Sequence, residues 1–362
     1  MEIHQNIITD LQPIFPGFAA PLILAGPCSA ETPEQTIRTA EGLAAEGINI
    51  FRAGLWKPRT KPGAFEGVGA VGLPWLAEVK RRTGMLTATE VAVPEHLEAV
   101  AAADVDAVWI GARTSANPFA VQQLADCFAA MDAGRRSSLA VIVKNPVSPD
   151  LELWIGALER IFASGVRRLA ASHRGFSLYG ESRYRNAPVW RIPLELKRRL
   201  PHLPLLCDPS HIAGRRDLVE PVAGQAMRLG FDGLMIESHC RPDEALSDAA
   251  QQLTPSALGT MLRSLPARRA DNAGGDILAD MRARIDALDD ELLDILSRRM
   301  AVAREIGLYK KEHALPVFQP DRYSELMTLR RNRGRDAGLD DDFVAAILGA
   351  IHEESVRLQL KI

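Results

Sequence analysis

Between residues 21 and 265 the chain repeats one rhythm: a short apolar run, a loop, then an amphipathic stretch. The apolar runs are PLILAG, INIFRAG, MLTATEV, VDAVWIGA, SLAVIVK, RRLAAS, LPLLCD and FDGLMIE. They favour Val, Ile and Leu without polar alternation, as strands covered on both faces do. Stretches of helical spacing lie between them, among them TPEQTIRTAEGLAAEG, PFAVQQLADCFAAM and LELWIGALERIFASG. Eight strand–helix units over this span predict a (β/α)8 barrel rather than an open doubly wound sheet. No glycine-rich dinucleotide fingerprint follows the first run, which argues against a Rossmann fold.

After Leu265 the rhythm changes. PARRADNAGGD is polar with two adjacent glycines and reads as a linker. Ile277, Met281, Ile285, Leu288, Leu292 and Ile295 then recur at spacings of three and four, and the pattern runs on to about His313. A helix of that length spans roughly 55 Å, too long to lie alone on a small domain. LPVFQP breaks it, and two further helical patterns follow near 320–335 and 339–360. The domains are therefore a barrel over 1–265, a linker over 266–276 and an all-α domain over 277–362. The long helix predicts a homodimer formed through the second domain.

Composition narrows the picture. The chain has 362 residues, 47% hydrophobic and 25% charged, with a net charge of −3. That is ordinary globular composition, with no basic field for nucleic acid or an anionic membrane. No apolar run is long enough to span a bilayer, and no basic-then-apolar leader opens the chain. Four widely spread cysteines, Cys28, Cys127, Cys207 and Cys240, do not form a disulfide framework. A cytoplasmic protein is expected.

In such a barrel, chemistry sits where strands run into their following loops. Read in order, those places carry Cys28; Arg52, Lys57 and Arg59; Glu90; Arg113; Lys144; His173 and Arg174; Asp208 and His211; Glu237 and His239; then Asp248. Alone, FRAGLWKPRT also fits a solvated basic loop. Counted together, Arg52, Lys57, Arg59, Arg113, Lys144 and Arg174 are cations that would repel at one mouth unless anions sat among them. They predict a substrate with several phosphate or carboxylate groups. Cys28, His211, Glu237 and Asp248 form a mixed set suited to a divalent metal such as Mn, Fe, Co or Zn. A buried inert cysteine and a core histidine are the plainer readings of the same residues. His239 and Cys240 are spare candidates.

AGPCSAE, FRAGLWKPRT, IGAR, DPSH, IESH and ALSDAAQQLTP, in this order, resemble the 3-deoxy-D-arabino-heptulosonate 7-phosphate (DAHP) synthases, in their short form. The resemblance implies a (β/α)8 TIM barrel that condenses phosphoenolpyruvate with erythrose 4-phosphate and releases phosphate. It implies that Arg52, Lys57, Arg113, Lys144 and Arg174 hold phosphoenolpyruvate. Lys57, Pro58, Arg59 and Thr60 would meet the aldose. Cys28, His211, Glu237 and Asp248 would hold the metal, manganese being the first expectation. Lys57 and His211 are both proton-carrier candidates. The sister family, the 3-deoxy-D-manno-octulosonate 8-phosphate synthases, is the alternative. Asn145-Pro146 after Lys144 departs from the glycine expected two residues on.

Between 276 and 333 acidic and basic residues are equal in number, which excludes a nucleic-acid arm. Arg299 and Lys310 are about 20° apart in helical phase and about 16 Å apart along the axis, so a small dianion fits between them. Arg282 lies about 100° away in phase and points elsewhere. Ser355 and Gln359, at i and i+4, share a face. MRARIDALDDELLDILSRRMAVAREIGLYKK, DRYSEL and HEESVRLQ resemble the all-α chorismate mutases. The resemblance implies that Arg282 (from the partner subunit), Arg299 and Arg322 bind the two carboxylates of chorismate. Lys310 and Gln359 would sit at the ether oxygen, with Ser355 supporting binding. Gln319 and Tyr323 stand where the family often carries acids. A non-catalytic sensing or dimerisation module is the alternative, and feedback on the barrel by prephenate or chorismate is expected.

Overall fold

The computed structural model describes residues 10–57, 63, 65–180, 182–265 and 275–362. Pro58, Arg59 and Thr60, and 266–274 of the expected linker, lie outside the described residues. The chain separates into two compact units, Met1–Arg268 and Arg269–Ile362.

The first unit carries strands β1 (Leu22–Gly26), β2 (Ile50–Arg52), β3 (Leu86–Val91), β4 (Ala107–Ile110), β5 (Ala140–Lys144), β6 (Leu169–His173), β7 (Leu205–Cys207) and β8 (Gly233–Glu237). They close into a barrel in sequence order, and every pair is parallel. Between and after them run α1 (Pro33–Ala45), α2 (Leu73–Thr83), α3 (Pro94–Ala101), α4 (Ala112–Ser115), α5 (Pro118–Ala130), α6 (Ala133–Ser138), α7 (Leu151–Ala163), α8 (Arg191–Arg199), α9 (Pro209–Ala213), α10 (Arg216–Arg228) and α11 (Pro255–Ser264).

Successive strand residues point to opposite faces, so each strand feeds two cores. Leu24, Ile50, Ala88, Trp109, Ile142, Ala170, Leu206 and Met235 form one buried cluster, the barrel interior. Their neighbours Ala25, Phe51, Val108, Val143, Ala171, Cys207, Leu234 and Ile236 belong to the larger cluster shared with the helices. Both faces are buried, which is why the runs lack polar alternation. Ile14 and Phe15 join the inner cluster beside Leu22.

The second unit is three helices, α12 (Gly275–Glu312), α13 (Pro320–Asp336) and α14 (Asp341–Leu360), with α12 and α13 both packed on α14. The helix expected from 277 is α12, whose described residues begin at Gly275. Gly307 lets α14 approach α12: a Cβ there would stand 2.9 Å from Gln359 Cγ. Among the described residues, Ala303 and Val344 are the buried apolar side chains of this unit. Met281, Ile285, Leu288, Leu292 and Ile295, spaced as a coiled-coil seam, are at least half exposed in the single chain. Among the described residues no helix is long and apolar enough to cross a membrane.

Candidate active sites

The alternation that fills the barrel also builds its mouth. Arg52, Glu90, Lys144, Asp208 and Glu237 each lie two residues beyond an inward apolar position: Ile50, Ala88, Ile142, Leu206 and Met235. Period two therefore turns them into the barrel at its C-terminal end. Arg174 follows Ser172 in the same way, while His173 between them turns outward among Trp154, Phe176, Trp190 and Phe231. At the end of β4 the inward position is Gly111, where a Cβ would stand 2.1 Å from Glu90 Oε1. Any larger residue there would displace that carboxylate.

Arg52, Lys57, Arg113, Lys144 and Arg174 line one pocket, together with Cys28, His211, Glu237 and Asp248. Of the expected cations at the mouth, only Arg59 is outside the described residues. The charges are fixed by partners. Lys144 Nζ donates to Asp208 Oδ2 at 2.6 Å, and Arg52 Nη1 to Glu237 Oε1 at 3.2 Å, all four side chains being buried. Arg174 Nη1 donates to Asn186 Oδ1 at 2.8 Å. Its backbone N–H donates to Asn145 Oδ1 at 2.7 Å, so the Asn-Pro departure after Lys144 helps to place the arginine. Burial brings the Arg174 guanidinium down to about 10, still cationic at neutral pH. Burial opposes ionisation of Asp208, but His211 and Lys144 hold its carboxyl well below the usual range.

Ligand atoms of Cys28, Glu237 and Asp248 all lie within 4.8 Å of one another. Cys28 Sγ is 3.3 Å from Asp248 Oδ2. Lys57 Nζ stands 2.7 Å from that oxygen and touches the Cys28 sulfur. Its ammonium thus sits against two of the three donors that a divalent cation would take. Burial and then the charge of Glu237 push the Cys28 thiol up to about 12. A dication held there would favour the thiolate over the thiol. One sulfur and two carboxylates, with an imidazole alongside, fit a divalent transition metal. His211 stands just outside this tight trio: its Nδ1 is 2.8 Å from Asp208 Oδ2 and its Nε2 is 3.7 Å from Glu237 Oε1. Asp208 thereby orients the ring with Nε2 on the side of the cluster. Burial lowers the His211 pKa.

The spare candidates lie elsewhere. His239 Nδ1 accepts from the Arg241 N–H at 2.9 Å and its Nε2 is 3.7 Å from Glu31, while Cys240 Sγ rests 3.9 Å from the Gln35 carbonyl. Two residues of the pocket carried no sequence expectation, Trp109 and Arg185, while Glu90 was placed at a strand end but given no role. The Trp109 ring lies under both Arg52 (4.6 Å) and Lys144 (5.7 Å), steadying two cations by its face. Arg185 Nη1 donates to Asp248 Oδ1 at 3.1 Å and to Gln251 at 2.8 Å. Asp208, placed at the end of β7 by the DPSH motif but given no role there, pairs with both Lys144 and His211.

The helical unit has its own cavity, of about 390 Å³. Arg299 and Lys310 of α12, Arg322 of α13 and Ser355 and Gln359 of α14 all line it, with Gln319 and Tyr323. Arg299 Nη1 donates to Ser355 Oγ at 2.5 Å, and Lys310 Nζ to the Val317 carbonyl at 2.7 Å. Arg282 is exposed on α12 and is not part of this cavity. Among the described residues the lining carries three cations and no carboxylate.

Residues 5–268 match the DAHP synthetase I family, nearly three quarters of the chain. The chain belongs to that family. Residues 281–360 match chorismate mutase type II, so a mutase-type domain is fused behind the synthase domain. A phospho-2-dehydro-3-deoxyheptonate aldolase of Thermotoga maritima is 33% identical over 253 residues, 70% of this chain and 71% of that protein. A crystal structure of a Thermotoga maritima DAHP synthase superposes with a TM-score of 0.60 at 32% identity, covering 68% of each chain. A 2-dehydro-3-deoxyphosphooctonate aldolase of Geobacter metallireducens is 31% identical, over 69% of this chain and 93% of its own length. A 4-amino-4-deoxychorismate mutase of Streptomyces pristinaespiralis is 32% identical over 107 residues, 30% of this chain and 80% of that protein.

Proposed function

We propose that the synthase unit condenses phosphoenolpyruvate with erythrose 4-phosphate, and that the mutase unit rearranges chorismate to prephenate. The observation that carries the first reading is the meeting of five cations and a metal-type donor set in one barrel mouth. Arg52, Lys144 and Arg174, each held by a buried or part-buried partner, and Arg113 are assigned to the phosphate and carboxylate of phosphoenolpyruvate. Lys57, Pro58, Arg59 and Thr60 are assigned to the aldose phosphate. Cys28, Glu237, Asp248 and His211 would hold the metal, manganese first, with iron, cobalt and zinc as alternatives. When bound, that ion supplies Lewis acidity for the aldehyde oxygen. Lys57 and His211 both stand where a proton can be passed, Lys57 against Asp248 and His211 against Asp208.

The Geobacter likeness keeps a longer aldose in play. A four-carbon aldose phosphate gives a seven-carbon acid and a five-carbon one gives an eight-carbon acid. Phosphate release by metal-loaded protein should be faster with erythrose 4-phosphate by at least an order of magnitude. Preference for a five-carbon aldose phosphate would overturn the assignment.

In the mutase unit Arg299, Lys310 and Arg322 are assigned to a compact dianion, Gln359 to its ether oxygen and Ser355 to holding Arg299. The rearrangement needs a bound conformer and cations where charge builds, and no cofactor. A ring ammonium, as in an amino-deoxy analogue, would meet three like charges without an anion, so the hydroxylated substrate fits better. Arg282 is assigned to the site of a partner subunit in a homodimer formed along α12. The exposed Met281, Ile285, Leu288, Leu292 and Ile295, in a unit with little buried core of its own, support that dimer. A product-binding unit on the first enzyme of a pathway also allows feedback, and coupling of binding is reciprocal. Prephenate should lower the synthase rate; an unchanged rate and unchanged Michaelis constants would remove this part of the reading.

A further inference from the structure

The mutase cavity contains a side chain to which the family resemblance gives no role. His352 stands on α14 with Ser355 and Gln359 three and seven residues further on, so the three share a helix face, and all three line the cavity. The imidazole is held by rings: Tyr323 lies 4.4 Å away between centroids and Phe318 5.9 Å, edge-on. Polar neighbours are already engaged. Ser355 Oγ accepts from Arg299 at 2.5 Å and donates to the Ile351 carbonyl at 2.7 Å. Lys310 donates to the Val317 carbonyl at 2.7 Å, and Arg322 to Glu325 at 2.6 Å. Two buried polar atoms among the described lining side chains have no hydrogen-bond partner, His352 Nε2 and Gln359 Oε1. An unpaired buried polar atom carries a desolvation cost that a ligand group can remove.

Charge decides which group. Burial lowers the His352 pKa, the Arg299 and Lys310 cations of α12 lower it further, and only Glu353 on its own helix opposes them. Tyr323 faces the ring from α13. The imidazole is therefore neutral at neutral pH and offers a lone pair. Chorismate carries two carboxylates, which the cations take, and a ring hydroxyl whose proton needs an acceptor. A carboxylate in that place would offset the cationic field that binds the dianion. A neutral imidazole accepts without doing so.

We propose that His352 is a substrate-binding residue of the mutase unit, its Nε2 accepting a hydrogen bond from the ring hydroxyl of chorismate and of prephenate. This rests on the reading of the unit as a chorismate mutase. The imidazole takes the place of an acid at the hydroxyl and leaves Gln319 and Tyr323 to shape the wall. Protonation removes the acceptor, so binding and turnover weaken as pH falls through the histidine range.

The test compares the full chain with His352→Phe, which keeps the ring packing, and His352→Gln, which restores an acceptor. Chorismate loss and prephenate binding by calorimetry are both measured, with thermal unfolding as a control on folding. His352→Phe should lower kcat/KM and prephenate affinity by about 10- to 100-fold. His352→Gln should recover most of that loss, and the acid limb of the wild-type profile below about pH 6.5 should be absent from it. A His352→Phe protein that matches wild type in both readouts overturns the proposal while leaving the mutase reading intact. A wild-type protein that neither rearranges chorismate nor binds prephenate overturns both.

Discussion

The Lys144–Asp208 pair shows how one buried contact serves fold and site together. Asp208 Oδ1 caps α9 by accepting from the His211 N–H at 3.0 Å, while its Oδ2 meets Lys144 at 2.6 Å and His211 Nδ1 at 2.8 Å. Removing the lysine leaves a buried carboxylate short of its counter-charge. Lys144→Met should therefore cost roughly 3 kcal/mol in denaturant unfolding as well as phosphoenolpyruvate affinity; a loss under about 1 kcal/mol would mean water reaches Asp208. His173, a strand residue turned the other way, makes a pH prediction. Burial lowers its pKa to about 3 from 6.5. Between those values the unfolded chain binds a proton that the folded chain does not. Stability then falls as pH falls, by up to roughly 1.4 kcal/mol per unit, beginning near the unfolded value. His173→Phe should flatten the acid side of the unfolding profile, and parallel wild-type and variant profiles would contradict this. Cys28 predicts a third effect: Cys28→Ala should lose bound metal by elemental analysis while keeping the barrel's circular dichroism. Full metal content in that variant would remove the sulfur from the donor set.

At the scale of elements, what was legible in the chain follows from two periodicities. Unbroken apolar runs marked strands buried on both faces, and polar residues at their C-terminal ends marked the mouth. Arg52, Lys144 and Glu237 were readable because each stands one inward step beyond an apolar position. Trp109 was not, because an inward tryptophan inside a strand reads as core, and here it is core and also a platform for two cations. Arg185 was not, because it lies in the long stretch between β6 and α8, where no period fixes direction. Helical phase put Arg299 with Lys310 on one face of α12 and Ser355 with Gln359 on one face of α14. The family resemblance implied that the two pairs meet, and His352 looked like an ordinary helical position until its ring neighbours were known. Arg135 belongs to this scale too. Its guanidinium donates to the carbonyls of Val100, Ala101, Ala103 and Val105, closing the C-terminal end of α3. Arg135→Ala should destabilise the barrel by roughly 2 kcal/mol without changing the Michaelis constants of the synthase. A change in those constants with unaltered stability would show that the loop, rather than the helix end, is what the arginine supports.

At the scale of the molecule, one chain carries two sites built on opposite logics. The barrel has a large core of its own and presents its chemistry on strand ends. The helical unit has little buried core and an exposed apolar seam along α12, the feature on which the proposed homodimer rests. Leu288→Glu, on that seam, should give monomers by sedimentation and slow chorismate loss more than tenfold, with DAHP formation within about twofold of wild type. The central claim is that the two activities belong to the two separate cavities. The most direct measurement follows DAHP formation and chorismate loss in the same preparations of wild type, Lys57→Ala and Arg299→Ala. The account predicts both activities in wild type, loss of DAHP formation alone in Lys57→Ala, and loss of chorismate rearrangement alone in Arg299→Ala. Chorismate loss no faster than the spontaneous rate in a wild-type protein that still forms DAHP would contradict it.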